Sequence, residues 1–324
     1  MLSRWHVHAD EYAKDVNSHP GAVVVALWDE DPARGAAWAE ALSAPFEPDL
    51  DSLLARGDID AVCVTAPTSM HEDVIIRAAR AGKHIFTEKV LAPTVSQCRS
   101  IGAAIEASAV KFAISFPRRC IPEILYAKQV LEEGLLGQPT LVRVRIAHDG
   151  AIRDWLPAHF YDPATAVGGA MLDLGAHGMY LTRWLLGAPL CATSIFSRVT
   201  NHPLEDNAVS VIEYGNGAIG INETGFVSFG GFYSMEIDGT EGNYRMLSPR
   251  TGVEIRHGGT GGDWQPVTDL PPRRPKPVVQ WIDHCLGGAP SDFGLVEAVE
   301  LTELMEAAYR SFHERRTVAI SELA

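Results

Sequence analysis

The stretch AVCVTAPTSMHEDVIIRAARAGKHIFTEKV, residues Ala61–Val90, decides the fold. Ala61–Thr65 and His84–Thr87 are short runs rich in apolar residues, which is typical of strands buried on both faces. Between them, Met70–Ala81 has helical spacing and ends at Gly82, a favoured residue just beyond a helix. A strand, a helix and a second strand in this order predict a right-handed crossover between two parallel strands.

The same alternation runs through the first 116 residues. Ala22–Trp28 and Lys111–Phe116 are further apolar runs that predict strands. The helices predicted between the strands are His8–Val16, Ala33–Leu42, Asp51–Arg56 and Val95–Ser108. This half of the chain therefore predicts a parallel sheet covered by helices.

The pattern changes after Pro117, where longer strands with alternating polarity begin. The predicted strands are Leu141–Ala147, Thr193–Val199, Val209–Tyr214, Ala218–Thr224 and Tyr233–Ile237. A helix over Ala170–Leu186 interrupts them, and Gly215–Gly217 predicts a hairpin turn. We therefore predict an α/β protein of two domains, residues 1–117 and 118–324.

Length and composition indicate an ordinary globular protein. The chain has 324 residues, 46 % of them hydrophobic, and a formal net charge of −14 that disfavours nucleic acid and anionic membranes as partners. No apolar run approaches the ~20 residues of a membrane helix, and the start lacks a signal-peptide pattern. Five scattered cysteines without CxxC spacing are expected to be free thiols in a reducing, cytoplasmic compartment.

Asp29 ends the apolar run Ala22–Trp28. In a dinucleotide-binding fold, an acidic residue at this place accepts hydrogen bonds from the adenosine ribose. The negative charges of Asp29 and of the next two residues, Glu30 and Asp31, would repel a 2′-phosphate. This favours NAD over NADP. The same spacing suits helix capping ahead of Pro32, so the residues alone leave both roles open.

Polar residues follow both strands of the opening stretch, at the edge of a parallel sheet where ligands bind. The candidates for cofactor contacts are Thr65, Pro67, His71 and Glu88. Lys89 comes next, and a lysine at a cleft can lower the pKa of a nearby hydroxyl or donate to a carbonyl oxygen. From spacing alone, a solvated surface lysine is the favoured interpretation.

Asp173 and His177 are four residues apart on the predicted helix, so they share one face. An aspartate can orient an imidazole in the tautomer that accepts a proton. A satisfied core pair is an equal alternative. A metal site would need further ligands that the sequence does not supply, so no metal is expected.

Aromatic residues precede this helix. Trp155, His159 and Tyr161 are candidates for a substrate site, because aromatic faces stack on sugar rings and a histidine can bond hydroxyls. Loop packing is the alternative for each of them. His6 and His8 are either cofactor contacts or surface residues.

Together, these segments resemble the Gfo/Idh/MocA oxidoreductases along nearly the whole chain. TEKVLAPT, Thr87–Thr94, is similar to the family's strand-end EKP motif, with Val90 at the proline position. GGAMLDLGAHGMYLTRWLLG, Gly168–Gly187, is similar to its GG-x-x-x-D-x-G-x-H helix with the WLLG end. Shorter matches are AGKHIFTEK, GLLGQPTLVRV and IDGTEGN.

The resemblance implies a Rossmann domain followed by an α/β domain with a large, mostly antiparallel sheet. It implies hydride transfer between a sugar or polyol carbon and a nicotinamide. The family's motif residues fall on Lys89, Asp173 and His177. His177 would take the hydroxyl proton, Lys89 would polarise the oxygen, and Asp173 would orient His177 and the substrate. A homodimer or homotetramer through the second-domain sheet is also implied.

The start of the chain departs from the family, which opens with a strand and a G-x-G-x-x-G turn. Alignment of His8–Tyr12 on the family's His-Ala segment puts Leu2 and Trp5 at the second and third glycines. We therefore expect that a few upstream residues, including the first strand, are absent from this sequence. The backbone N–H groups of Ser3 and Arg4, with the Arg4 charge, are then the candidates for a phosphate contact.

A second departure is Tyr180, which stands where an aspartate often follows the histidine and which bears on any proton relay beyond His177. The prediction is an NAD-dependent dehydrogenase acting on the CH–OH group of a sugar or polyol. One alternative is a redox-neutral enzyme of the same fold that uses NAD transiently for lyase or glycoside cleavage. Another is a non-catalytic sugar-binding or regulatory protein with a degraded cofactor site.

Overall fold

The computed structural model describes residues 1–247 and 252–323. It divides the chain into two compact units. The first comprises Met1–Phe116, Ala164–Ala166 and Pro275–Thr302, and the second Pro117–Pro163, Val167–Arg274 and Glu303–Ala324. The helices are α1 (Ala9–Ser18), α2 (Pro32–Leu42), α3 (Leu50–Leu54), α4 (His71–Arg80), α5 (Val95–Ser108), α6 (Pro122–Glu132), α7 (Ala176–Leu186), α8 (Pro277–Cys285) and α9 (Leu295–Glu314).

The strands of the first unit are β1 (Ala61–Val64), β2 (His84–Thr87) and β3 (Phe112–Ile114). They pair in parallel in that order. Leu2 continues the parallel arrangement because it bridges both Val64 and Trp28, and Leu27 in turn bridges Phe46. The predicted parallel sheet is confirmed, with helices packed against it through a core that includes Trp38, Phe86 and Trp281.

The run Ala22–Trp28 does not form the predicted strand, and only isolated bridges are found at its end. Only Leu27 and Trp28 pair with neighbouring backbone, and the amino group of Met1 donates to the Ala26 carbonyl at 2.9 Å. A cavity of about 630 Å³ lies beside the rest of the run, and its lining includes Val24, Ala61 and Cys63. Residues 22–26 therefore lack a neighbouring strand on the side that faces β1, and no ladder forms there.

Leu2 lies in the sheet and not in the turn, contrary to the alignment that placed it at a glycine position. Its N–H donates to Cys63 O at 2.8 Å, and its carbonyl accepts from Thr65 N at 2.9 Å. The turn begins one residue later, at Ser3, whose φ of 72° is in the left-handed region that favours glycine. Trp5 lies in the turn and is buried.

The second unit contains one sheet of nine strands among the described residues. The strands are β4 (Pro139–Ala147), β5 (Pro189–Ser197), β6 (Asn207–Tyr214), β7 (Ile219–Gly225), β8 (Phe232–Gly239), β9 (Gly242–Leu247), β10 (Val253–His257), β11 (Gln265–Val267) and β12 (Val318–Ala319). Their order is β11-β10-β9-β8-β4-β7-β6-β5-β12. The pair β4 and β7 is parallel and the other neighbours are antiparallel, which confirms a mostly antiparallel sheet.

The helix predicted over Ala170–Leu186 is two segments. Met171–Gly175 forms a π-helical turn, and α7 follows it directly. The side-chain amide of Asn222 donates to Gly175 O at 2.7 Å, at the junction of the two segments. A Cβ at Gly178 would collide with the same Asn222 side chain, so the helix lies against β7 only because this residue is glycine.

No helix within residues 1–247 and 252–323 has the length and apolar character needed to cross a membrane. All five cysteines lie in this part of the chain, and each is a free thiol.

Candidate active site

Lys89 is the second residue after β2 and is only 5 % exposed, so the interpretation as a solvated surface lysine is wrong. Its backbone N–H donates to Glu88 Oε2 at 3.0 Å, and its peptide bond to Val90 is cis. The carbonyl of Val90 lies 2.9 Å from Nδ1 of His71. The backbone on both sides of Lys89 is therefore held by buried polar side chains.

Glu88 is the centre of a buried polar cluster. Its Oε1 lies 2.8 Å from His8 Nδ1 and 3.7 Å from His6 Nδ1, and it accepts a short hydrogen bond from the Tyr12 hydroxyl. Burial alone would raise the pKa of Glu88, but His6, His8 and Lys89 hold it well below its ordinary value. In the described part of the chain, His6, His8 and Glu88 also have ligand atoms close enough to hold a metal ion, within 4.8 Å of one another.

His71 holds the end of β1 to the segment after Lys89. Its Nε2 lies 3.1 Å from Ala66 O while Nδ1 faces Val90 O, and the residue is 1 % exposed. Burial lowers the pKa of His71, against the opposing effect of these carbonyls. Thr65 is also buried and donates from Oγ1 to Ser3 O at 2.5 Å, and Pro67 precedes a 3₁₀ turn over Thr68–Met70. In this conformation the polar groups of His71 and Thr65 contact protein backbone.

Asp29 is buried, and each oxygen of its carboxylate accepts two hydrogen bonds. Oδ2 accepts from the Arg4 N–H at 2.8 Å and from Arg34 Nε at 3.0 Å. Oδ1 accepts from the Asp31 N–H at 2.8 Å and from Arg34 Nη2 at 2.6 Å. Helix capping of α2 falls to Asp31, not to Asp29. A carboxylate has about four lone-pair positions, so a ribose hydroxyl would have to replace one of these donors.

The turn that begins at Ser3 contains the backbone N–H groups that were expected to contact a phosphate. The N–H of Ser3 donates to Trp28 O at 2.6 Å and that of Arg4 to Asp29, so both have partners in the protein. The N-terminus of α1 has no side-chain cap at His8. In the first turn of this helix, the Ala9 N–H donates to His6 O at 3.1 Å, and Asp10 and Glu11 add two acidic side chains.

Asp173 lies in the π turn and His177 is the second residue of α7. His177 is 5 % exposed, and its Nδ1 lies 3.0 Å from the Tyr180 hydroxyl. The Tyr180 oxygen also accepts from the backbone N–H of Arg118 at 3.1 Å. The ring of His177 is thus fixed by a neutral partner, because burial raises the pKa of Tyr180 well above its usual range.

His148 is a candidate site residue that the sequence did not reveal. It follows β4, stacks on Phe226 with ring centroids 4.9 Å apart, and lies 4.6 Å from the Trp155 ring. Burial lowers its pKa, and the negative charge of Asp173 opposes that effect. Its place just past a strand end is the signal that could have identified it.

The three aromatic candidates differ in exposure. Trp155 is 52 % exposed and donates from Nε1 to Asp149 at 3.0 Å. Tyr161 is buried, stacks on His202 with centroids 3.5 Å apart, and its hydroxyl has no hydrogen-bond partner among the described residues. His159 is half-buried with its ring 5.2 Å from that of Phe160. The Tyr161 hydroxyl is therefore both unbonded and buried in this conformation.

Glu205 is a second residue that the sequence did not reveal. It is buried and accepts from the N–H groups of Gly169 at 2.9 Å and Met171 at 3.2 Å, and from the Tyr309 hydroxyl. Burial raises its pKa. Glu205 therefore holds the start of the turn that carries Asp173.

The predicted site residues fall into two groups, one in each unit. At the carboxyl edge of the parallel sheet the first unit groups Ser3, Arg4, Asp29, Thr65, Pro67, His71, Glu88 and Lys89. The second unit groups Trp155, His159, Tyr161, Asp173 and His177.

Family models match both halves of the chain. The oxidoreductase family's NAD-binding Rossmann fold matches residues 7–116, and the GFO/IDH/MocA C-terminal domain matches residues 124–245. A scyllo-inositol 2-dehydrogenase (NAD(+)) of Bacillus subtilis is 32 % identical over 238 residues, covering 70 % of this chain and 67 % of that protein. An inositol 2-dehydrogenase of Rhizobium meliloti is 27 % identical over 324 residues, covering 96 % and 95 %.

Solved structures share the fold. GenD2 from gentamicin A biosynthesis, in complex with NAD, has a TM-score of 0.81 at 27 % identity and covers 95 % of this chain and 92 % of its own. A levoglucosan dehydrogenase, in complex with NADH and levoglucosan, has a TM-score of 0.84 at 20 % identity and covers 98 % of each chain. The second of these shows likeness of fold alone. From the two motifs, the two domain matches and the inositol dehydrogenase relatives, the chain belongs to the GFO/IDH/MocA family of oxidoreductases.

Proposed function

We propose that the protein oxidises a CH–OH group of a sugar or polyol with NAD. The observation that carries the proposal is a buried histidine, His177, oriented by Tyr180 and placed four residues after Asp173 of the π turn. The relatives named as inositol dehydrogenases carry the same type of reaction in their names. Bound NAD would supply the hydride acceptor.

His177 has the contacts that a base for the substrate hydroxyl needs. The Tyr180 oxygen has two lone pairs, and Arg118 N–H uses one of them. The other can accept Nδ1–H of His177, and in that tautomer Nε2 is the nitrogen that we propose takes the hydroxyl proton. Protonated His177 keeps the same bond to Tyr180, so no side chain has to move when the proton arrives.

Lys89, in the first unit, is the second residue that we propose acts on the substrate. Its backbone is held by Glu88 and by the bond of His71 to the next carbonyl. A donor fixed in a buried place stabilises developing negative charge on oxygen more strongly than one in water. We therefore assign Lys89 to polarise the hydroxyl oxygen and His177 to remove its proton.

The rings near the π turn suit a sugar or cyclic polyol. His148 and Trp155 present aromatic faces, Trp155 is half exposed, and Tyr161 keeps an unused hydroxyl. Apolar ring faces pack on the C–H side of a sugar. The Tyr161 hydroxyl could bond a hydroxyl group of the sugar if a side-chain movement exposed it. His159 is the remaining candidate for a substrate hydroxyl.

NAD would be held by the first unit. The uncapped N-terminus of α1 suits the pyrophosphate, and Asp29 with Arg34 marks the place of the adenosine ribose. Thr65, Pro67, His71 and Glu88 line or support the same sheet edge.

The test is a panel of cyclic and acyclic polyols and sugars, each incubated with the protein and NAD while absorbance at 340 nm is recorded. We expect net NADH formation with at least one member, and none when His177 is replaced by alanine. NAD that binds but is never reduced by any member would contradict the dehydrogenase proposal and support redox-neutral chemistry. Absence of NAD binding would contradict both enzyme proposals.

We further infer that copies of the chain associate through the outer face of the large sheet. Along β6 every second residue is exposed, and Val209 and Val211 are among them. Ile195 of β5 pairs with Val209 and is 70 % exposed. These branched side chains form an apolar strip that a second copy would cover.

We also infer that the protein works in the cytoplasm. Its five free cysteines and its use of a soluble nicotinamide cofactor support that compartment.

A further inference from the structure

We propose that Glu30 makes the ribose site selective for NAD by holding the guanidinium of Arg34, which would otherwise accept the 2′-phosphate of NADP. The inference rests on the proposed function, because it concerns the adenosine end of the same cofactor site. Glu30 and Arg34 would exclude the 2′-phosphate of NADP, whereas Asp29 is expected to contact the ribose itself.

The geometry places one guanidinium between two carboxylates. Arg34 makes a two-bond pair with Asp29, and its Nη2 also forms a short contact with Glu30 Oε1. Nη2 lies 3.5 Å from Ser3 Oγ as well. The side chains of Arg34 and Glu30 are 23 % and 20 % exposed, whereas that of Asp29 is fully buried.

A guanidinium at the ribose end of a dinucleotide site is the usual partner of a 2′-phosphate. Here, two carboxylates surround its single positive charge, and the nearby Asp31 adds a third acid. Arg4, the other cation of this turn, is paired with Asp10. A phosphate dianion arriving at Arg34 would therefore meet net negative charge, whereas the neutral hydroxyls of NAD would not.

Glu30 can be changed without undoing the turn, and Asp29 cannot. Asp29 accepts backbone N–H bonds from Arg4 and Asp31, so its loss would disturb the site itself. The side chain of Glu30 bonds those of Arg34 and Ser3, and the amide oxygen of a glutamine can accept from both. Glu30→Gln removes one negative charge at nearly constant volume and leaves the Asp29–Arg34 pair in place.

The experiment is calorimetric titration of the full chain with NAD and NADP, and with the fragments ADP and 2′,5′-ADP. The proteins are the wild type, Glu30→Gln, the double variant Glu30→Gln/Arg34→Ala, and the control Glu40→Gln. Glu40 is an exposed acid on the same helix, so its substitution makes the same charge change away from the site. Thermal unfolding of each variant verifies that it is folded.

We expect the wild type to bind NAD more tightly than NADP. Glu30→Gln should tighten NADP and 2′,5′-ADP by about tenfold or more, the scale of one charge-assisted hydrogen bond, and change NAD affinity by less than about threefold. The double variant should lose this gain, and Glu40→Gln should show none.

An unchanged NADP affinity in Glu30→Gln, or a gain that persists without Arg34, would overturn the inference. A wild type that binds NADP as tightly as NAD would also overturn it. If the wild type binds neither dinucleotide, the proposed function fails, and the comparison of ADP with 2′,5′-ADP still decides the role of Glu30.

Discussion

The phenolic oxygen of Tyr180 lies 3.0 Å from Nδ1 of His177, and the backbone N–H of Arg118 donates to the same oxygen. Because burial raises the pKa of Tyr180 well above its usual range, the partner of His177 is neutral. The tyrosine therefore orients the imidazole without adding a negative charge beside it.

Tyr180→Phe removes this partner and keeps the ring. We expect kcat to fall by about 10- to 100-fold, since a positioned acid–base group contributes 10²–10⁴-fold and only its orientation is lost. The acid limb of the pH–rate profile should move to lower pH, because the imidazolium loses the oxygen that accepts its Nδ1–H. The measurement is kcat against pH with the best polyol substrate.

The control for Tyr180→Phe is Tyr244→Phe. Tyr244 is another buried tyrosine of the second unit, and its hydroxyl bonds the Glu123 carbonyl at 3.0 Å. Its loss should cost stability of about 1 kcal/mol, the scale of one hydrogen bond, and leave the pH–rate profile in place. Equal profiles for the two variants would refute the positioning role of Tyr180.

Lys89→Ala and His177→Ala should each lower turnover by about 10²–10⁴-fold while NAD affinity stays nearly intact. The matched control is Lys83→Met, at the other end of β2. Lys83 is also buried, but its Nζ donates to the carbonyls of Arg56 and Ile59, both at 2.8 Å. That variant should unfold at lower temperature yet keep its turnover per folded molecule. Full turnover in both alanine variants would refute the proposed catalytic roles of Lys89 and His177.

Glu88 should make stability depend on pH in the acid range. Its pKa is well below the ordinary value of 4.5, so the carboxylate stabilises the fold above about pH 4.5. This contribution falls as the pH drops through the lowered pKa. Glu88→Gln should cost about 2 kcal/mol at pH 7, the scale of hydrogen bonds to a charged group.

Urea unfolding of wild type and Glu88→Gln across this range tests the prediction. The difference in free energy of unfolding should shrink as the pH falls below about 4.5. Glu106→Gln, an exposed acid on α5, should show no such pattern. A constant difference at every pH would show that the carboxylate charge is not what stabilises the cluster.

Ile195→Arg and Val211→Arg should break the association of copies proposed for the outer sheet face. A charge in a buried apolar strip loses its hydration without gaining a partner. The measurement is molar mass by light scattering, with Val296→Arg, 68 % exposed in the first unit, as the control. A wild type that is monomeric at every concentration would refute the interface.

Much of the fold follows from the period of the apolar residues. The alternation of short apolar runs and helices predicted the parallel sheet, and longer alternating strands with a hairpin turn marked the second unit. The run Ala22–Trp28 was overestimated, because pairing depends on a neighbouring strand that residues 22–26 do not have on the side facing β1. The spacing of apolar residues indicates which residues are buried, but it does not indicate whether a neighbouring strand pairs with each edge.

The site was less accessible to sequence reasoning because its partners are distant along the chain. Spacing placed Asp173 near His177, but it could not place His148 near Asp173 or Glu205 at the start of their helix. The strand-end rule identified Asp29, but not the saturation of its carboxylate by Arg34 and two backbone N–H groups. Short-range sequence pattern identifies candidate site residues. Contacts with residues distant along the chain determine which of their polar groups a ligand can still bond.

The π turn over Met171–Gly175 makes the length of this helix as important as its composition. It contains one residue more per turn than an α-helix would, and each side of it is held separately, by Glu205 before and by Tyr180 after. Deletion of one codon within the turn would restore an ordinary helix and rotate everything after it by about 100°. His177 would then change its position relative to Asp173 although no motif residue had been changed, so homologues should tolerate substitutions here more readily than gaps.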